Sequence, residues 1–197
     1  MIIRILSLIK IFIIIIFMYG CTYSYNYNDS YNIQNIEKIN LNAVSFEIKK
    51  NNFKSNETKN LISGQINKVT LLQFENWILR KFEVNGASNK AYINISKLKA
   101  TLVEEKKENS FFLSLINRKK NTYQVTLSFD LNFLEDEVKT KTLKVSSKVD
   151  ITLLNNYSIK KRNLVINYYA NQLIYLIDEK VNKELKKETF NAFIVNQ

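Results

Sequence analysis

The fold is decided by residues 123–133, YQVTLSFDLNF, in which every second side chain is apolar. Successive side chains of a β-strand point to opposite faces, so this alternation predicts a strand with one buried face. Residues 143–153, LKVSSKVDITL, repeat the pattern with one serine in the apolar row. Glu135, Asp136 and Glu137 lie between the two stretches and are interpreted as a solvated hairpin turn. Two such strands predict an antiparallel sheet that buries a single face.

Two further strands are predicted upstream of this pair. Residues 43–49, AVSFEIK, alternate in the same way. Their apolar residues on one face are Val44, Phe46 and Ile48. The next stretch, 91–102, begins with apolar residues at odd positions and continues from Leu98 with apolar residues at even positions. Such a change of phase buries the wrong side chains unless the strand is interrupted, so we expect a bulge or break near Ser96 and Lys97.

Residues 58–83 and 158–188 change to the spacing of amphipathic helices. The first segment has four apolar residues on one face: Leu71, Phe74, Ile78 and Phe82. Trp77 lies beside that face and is predicted to anchor the core, and Gly86 follows where a helix commonly stops. Ser158 is a suitable cap for the second helix.

The predicted order is strand, helix, three strands, helix. This order predicts an α+β two-layer sandwich, with two helices on one face of an antiparallel sheet. Residues 43–197 supply enough chain for a single α+β domain with one core. Residues 21–42 are rich in Tyr, Asn and Ser and are predicted to form a flexible tether, although the alternating tyrosines would also suit an edge strand or the membrane interface.

The side-chain inventory of the 197 residues excludes several kinds of chemistry. The chain has no histidine, and therefore no imidazole base and no histidine ligand for a metal. Its single cysteine cannot form an intrachain disulfide or a multi-cysteine metal site. The sequence therefore predicts a protein that is not an enzyme and that carries no cofactor and no metal.

The formal net charge of +11 arises mainly from lysine. The arginines are only Arg4, Arg80, Arg118 and Arg162. Proteins that read nucleic-acid sequence depend on the bidentate arginine fork, so a lysine-rich chain is weak support for such a role. We expect no nucleic-acid partner.

The amino terminus has the layout of a secretory signal peptide, predicted to span residues 1–20. Arg4 and Lys10 form the positive region, and residues 11–19 are an apolar run. A helix that crosses a membrane needs about 20 apolar residues, which makes an uncleaved membrane anchor the alternative interpretation.

Residues 18–21, MYGC, resemble the lipobox of bacterial lipoproteins. The resemblance implies cleavage after Gly20 and lipidation of Cys21, with palmitate among the acyl chains. It also implies that Thr22, which stands where an aspartate would retain the protein at the inner membrane, directs it to the outer membrane. Without Arg4 and Lys10 the mature charge would be +9.

The predicted architecture behind this motif resembles two kinds of envelope lipoprotein. One is the lipopolysaccharide-assembly lipoprotein that plugs the outer-membrane translocon, and the other comprises the auxiliary lipoproteins of ABC-type lipid transporters. Residues 77–104 also resemble uncharacterised lipoproteins of alphaproteobacterial type. These resemblances imply a non-enzymatic lipoprotein that faces the periplasm and acts as an accessory or scaffold of an envelope complex in lipopolysaccharide or lipid transport and assembly.

The connection 104–122 is too long for a tight hairpin. It carries an apolar tip followed by basic residues, and these form the candidate contact with a membrane or partner: Phe111, Phe112, Leu113, Leu115, Ile116, Arg118, Lys119 and Lys120. An apolar tip beside cations suits acyl chains and anionic head groups, or a hydrophobic partner. Two alternatives stay open: a lid packed over the sheet edge, and a lipid-binding module that uses this loop or the interface between sheet and helices.

Overall fold

A computed structural model describes residues 36–49, 60–103, 120–135 and 138–195. The strands are β1 (Ile39–Leu41), β2 (Ser45–Lys49), β3 (Phe82–Val84), β4 (Lys90–Val103), β5 (Lys120–Glu135) and β6 (Val138–Leu154). The helices are α1 (Leu61–Lys81), α2 (Ile159–Leu185) and a final 3₁₀ helix (Glu188–Phe193).

The main sheet has the strand order β2-β4-β5-β6. β4, β5 and β6 are antiparallel neighbours, as predicted. β2 pairs with β4 in parallel, which corrects the expectation of a wholly antiparallel sheet. The physical reason is the crossover, because α1 returns the chain to the starting end of the sheet before β4 begins. β1 and β3 form a separate two-stranded parallel sheet.

The apolar row of β5 is buried along its whole length, as the alternation predicted. In β6 the corresponding row is also turned inward, with Val149 only partly buried. The register of β4 against β5 shifts between Ile95 and Lys97, which confirms the expected bulge. This shift allows Ile95 before the bulge and Leu98 after it to face the same core.

Both helices pack on the buried face of the sheet, so the two-layer α+β sandwich is confirmed. They run side by side in the same direction. Gln65 near the start of α1 bonds to Asn163 near the start of α2, and Trp77 near the end of α1 bonds to Asp178. Asn60 caps α1 by accepting from the amide of Ile62 at 2.9 Å. Ser158 caps α2, as predicted.

Several predicted boundaries and exposures need correction. The strand expected at 43–49 is β2 and begins at Ser45, and Val44 is 47% exposed because it precedes the strand. The predicted tether ends earlier than Asn42, because β1 is part of the fold and Leu41 is fully buried. Residues 21–35 of that tether, like Asp136 and Glu137 of the hairpin, lie outside the described residues.

Gly86 does not end a helix, since α1 ends at Lys81. Instead, Gly86 lets two backbone segments approach closely. Its amide donates to the carbonyl of Ala43 at 3.1 Å. A Cβ at this position would lie 2.3 Å from the nitrogen of Ala43 and 2.4 Å from the carbonyl carbon of Asn42.

Gly86→Ala is therefore expected to lower the free energy of unfolding by about 1–3 kcal/mol, because backbone atoms must shift to admit the methyl group. Urea denaturation measures this loss. Gly64→Ala, within α1, is the opposite-sign control and should raise stability by about 0.5–1 kcal/mol. A neutral Gly86→Ala variant would contradict the close approach.

Candidate functional site

The predicted site residues fall almost entirely on parts of the chain that the structure does not describe. These are Gly20, Cys21, Phe111, Phe112, Leu113, Leu115, Ile116, Arg118 and Lys119. Lys120 is described and begins β5, where it pairs in register with Leu154 and has an exposed side chain. Within the described residues, the contacts that bear on function lie at the two ends of the domain.

One end of the domain, which we call the tether end, is where the described chain begins at Ile36 and where both helices finish. Lys81, the last residue of α1, is fully buried there. Its ammonium group donates to the backbone carbonyl of Glu37 at 2.7 Å and to Oδ1 of Asn182. It also forms an ion pair with Asp178 at 3.0 Å. A buried lysine thus joins the incoming chain to both helices.

The carboxylate of Asp178 is held from several directions. Oδ1 accepts from the indole nitrogen of Trp77 at 2.8 Å, in addition to its contact with Lys81. Oδ2 accepts from Nδ2 of Asn182 at 3.1 Å. Because both oxygens have partners, the buried charge is compensated as the low polarity of the interior requires.

Burial of Lys81 removes its ammonium group from water and lowers its pKa from 10.5. The hydrogen bond and the charge of Asp178 oppose this shift by favouring the protonated form. A low pKa in a lysine is a property of nucleophilic sites, but Lys81 has no exposed surface through which a substrate could reach it. The arrangement is suited to fastening the chain.

The lowered pKa has a consequence for stability at alkaline pH. The folded state binds the Lys81 proton less tightly than the unfolded state does. At a pH where Lys81 is protonated in both the folded and the unfolded state, its charge therefore disfavours folding. That penalty decreases as the pH rises through the lowered pKa toward 10.5. The wild type should therefore gain stability relative to the double variant Lys81→Met/Asp178→Asn over this interval, as measured by urea denaturation. A difference between the two proteins that does not change with pH would contradict the shift.

A pocket of about 270 Å³ lies beside this cluster at the tether end. It is formed by the start of β1, the end of α2 and the carboxyl-terminal residues after the 3₁₀ helix. Glu37 and Lys186 line it and form an ion pair with each other at 3.8 Å. Lys38 also lines the pocket and pairs with Glu83 at 3.2 Å. Because these charged side chains are exposed and paired, they attract a charged ligand only weakly.

The opposite end of the domain, which we call the distal end, is where β4 ends at Val103, β5 begins at Lys120 and both helices start. Exposed apolar side chains are found there: Leu61, Leu102, Val103, Ile159 and Leu164. Exposed basic side chains accompany them: Lys120, Lys160 and Lys161. The candidate contact segment leaves and re-enters the fold at this end.

The interface between sheet and helices is filled by aromatic side chains. The ring of Phe74 lies 4.9 Å from that of Phe129 and 5.6 Å from that of Trp77, measured between centroids. All three residues are fully buried. This packing disfavours the alternative in which the interface holds an acyl chain.

No group of three or more Cys, Asp or Glu side chains within the described ranges is placed to hold a metal ion. None of the described helices combines the length and the apolar character needed to cross a membrane.

Sequence reasoning missed Lys81 and Asp178, although a signal was present. Lys81 continues the spacing of Phe74 and Trp77 along the buried stripe of α1, and Asp178 occupies the equivalent stripe of α2. Two opposite charges at buried positions of two neighbouring helices indicate a pair.

The fold and these contacts define a small two-layer α+β domain whose incoming chain is fastened to the ends of its helices. No family model matches the chain, and no curated protein is similar to it. Among solved structures, the chain is similar to a minor lipoprotein from Acinetobacter baumannii, at 9% identity and a TM-score of 0.36, over 77% of this chain and 97% of that one.

Two further solved structures are similar at the same level. A Caulobacter crescentus protein described as a lipoprotein shares 11% identity at a TM-score of 0.33, over 71% of this chain and 86% of its own. The rare lipoprotein B from Shewanella oneidensis shares 9% identity at a TM-score of 0.32, over 71% and 98%.

Proposed function

We propose that this protein is a non-enzymatic lipoprotein, anchored through acylated Cys21 in the outer membrane and facing the periplasm. It serves as an accessory or scaffold of an envelope membrane-protein complex that transports or assembles lipopolysaccharide or another lipid. Nucleic acid is not among its partners. The lipobox at residues 18–21 supports the anchor, and the geometry of the two domain ends supports the scaffold role.

The observation that carries the scaffold role is the fastening of the incoming chain at the tether end. β1 pairs with β3, and the buried Lys81 holds the carbonyl of Glu37. A force applied through the anchor would therefore act on the packed core of the domain and not on an unattached terminus.

The distal end lies about 40 Å from this point, the length of α2 at 1.5 Å per residue. As the flexible tether that their composition predicts, residues 22–35 would span about 20 Å. The exposed apolar and basic side chains of the distal end are thus presented away from the anchoring membrane, where a partner complex can meet them.

The alternative lipid-binding module has less support. Phe74, Trp77 and Phe129 are fully buried and pack against one another at the centre of the described sheet–helix interface, where an acyl chain would have to displace them. Its other version, in which the 104–122 loop holds lipid, remains a prediction about residues outside the described ranges.

Crosslinking in cells followed by affinity purification tests the scaffold role. The full chain should capture an envelope membrane protein. A variant with Leu61, Ile159 and Leu164 changed to Ser, at exposed positions of the distal end, should lose that capture. Leu79→Ser, at a residue that is 75% exposed near the tether end, is the matched control and should retain it. Absence of any membrane-protein partner, or equal capture by both variants, would contradict the scaffold role.

A further inference from the structure

β6 is the last strand of the main sheet, and the described residues place no strand beyond it. It is also the longest strand, running from Val138 to Leu154. An edge of this length presents a row of backbone donors and acceptors to which another chain can add.

The hydrogen bonds show which residues of β6 turn their backbone outward. Nζ of Lys180 donates to the carbonyl of Ser146 at 2.6 Å from the side away from β5. The hydroxyls of Ser146 and Ser128 lie 2.8 Å apart, the close approach typical of an antiparallel pair that is not joined by backbone hydrogen bonds. The amide and carbonyl of Ser146 therefore face outward.

The register of β5 and β6 is regular from Leu154 to Lys141, so the outward backbone recurs at every second residue. The outward set is Thr142, Lys144, Ser146, Lys148, Asp150 and Thr152. The backbone of β4, on the other side of β5, is consistent with this assignment. Ala100 pairs with Val125, and its amide points away from β5 to reach Oδ1 of Asn67 at 2.8 Å.

The charged side chains along the outer edge of β6 indicate which kind of segment could bind there. The side chains of Lys144 and Lys148 are exposed beside the outward backbone, and Lys180 lies against it. These three lysines outnumber the one exposed carboxylate of the outward set, Asp150. We propose that the outer edge of β6 receives an extended acidic segment of a partner protein as an added strand. Carboxylates of that segment lie opposite Lys144 and Lys148 on the open face, and Lys180 moves off the Ser146 carbonyl to leave it free for the added strand.

The helix-facing side of the added strand meets an apolar surface. Leu176 lies one turn before Lys180 on α2 and is exposed on the same side of the helix. Val149 of β6 is only partly buried beneath α2. The segment that fits alternates acidic residues on the open face with apolar residues toward α2.

A second copy of the chain centred on Ser146 does not suit this edge. Two β6 strands paired antiparallel about Ser146 would set Lys144 of each copy opposite Lys148 of the other, and like charges directly opposite are destabilising. Edge lysines also discourage unspecific strand pairing, so they restrict the site to an acidic partner.

This inference rests on the proposed scaffold function, for which it names a partner surface. The two can nevertheless fail separately, because the scaffold role is tested by capture of a membrane protein in cells, whereas strand addition at β6 is tested on the purified chain with a peptide.

The test uses the full chain purified from membranes and a fluorescent peptide of about ten residues that alternates Glu and Val. Binding should protect the amides of Lys144, Lys148 and Asp150 from hydrogen exchange. Lys144→Glu/Lys148→Glu should weaken binding by about tenfold or more, because two attractive cross-strand pairs become repulsive. The same peptide with N-methylated glutamate amides keeps its charge but lacks the donors that face β6, and it should give no protection.

Lys97→Glu/Lys99→Glu is the matched control, since it changes two exposed lysines on β4 by the same charge and should bind as the wild type does. Equal weakening in both double variants, or binding without protection of the three amides, would overturn the proposal. Protection of the three amides in the free chain would also overturn it. Light scattering would show whether a second copy causes that protection, and deletion of residues 22–35 would show whether those residues do.

Discussion

Lys81→Met is expected to lower the free energy of unfolding by about 3–5 kcal/mol, because three buried acceptors lose their donor and each unsatisfied buried group costs about 1–3 kcal/mol. Asp178 would keep its hydrogen bonds from Trp77 and Asn182 but would lose the contact with Lys81. The carbonyl of Glu37 would also lose its donor. Urea denaturation followed by circular dichroism measures the loss.

Two further variants are controls for the loss of the buried ion pair. Lys81→Met/Asp178→Asn removes both charges while the introduced amide oxygen still accepts from Trp77, so it should recover most of the stability. Lys38→Met breaks an exposed pair with Glu83 at 3.2 Å and should cost at most about 1 kcal/mol. If Lys81→Met were as mild as Lys38→Met, or if the double variant were no more stable than Lys81→Met alone, the buried pair would not have the role assigned to it.

Cys21→Ser is expected to release the protein from the membrane almost completely. The anchor of a lipoprotein is its acyl chains, each contributing about 0.8 kcal/mol per buried CH₂ group, and serine lacks the thiol that receives the diacylglyceryl group. Fractionation of cell envelopes, with immunoblotting of the membrane and soluble fractions, measures the release.

Tyr19→Ala is the matched control for Cys21→Ser. It places a small residue in the lipobox-like sequence MYGC and leaves Cys21 in position, so this variant should remain in the membrane fraction. A Cys21→Ser protein that stayed bound to membranes would instead support the uncleaved amino-terminal anchor.

The sheet was predictable because its signal is local. The apolar alternation of β5 and the phase change at Ser96 and Lys97 each depend on the two-residue period of a strand, and both appear in the structure. Alternation within one strand carries no information on the direction of its neighbour, however. The parallel pairing of β2 with β4 follows from the crossover through α1 and needed an argument from connectivity.

The tether end was less predictable, for two physical reasons. β1 has only three residues, too few for a period to be visible, and it is held by β3 and by contacts from distant parts of the chain. Lys81 counts as polar in any hydrophobic pattern, although its long aliphatic stem can pass through a core when the ammonium group finds partners. Those partners, Asp178 and Asn182, lie about a hundred residues away in sequence.

The central claim is that Cys21 is the acylated first residue of the mature protein. Mass spectrometry of the intact protein extracted from membranes, with sequencing of its amino-terminal peptide, tests this claim directly. The mature chain is expected to begin at Cys21 and to carry the added mass of its acyl chains. A chain that begins at Met1 with an unmodified Cys21 would contradict it.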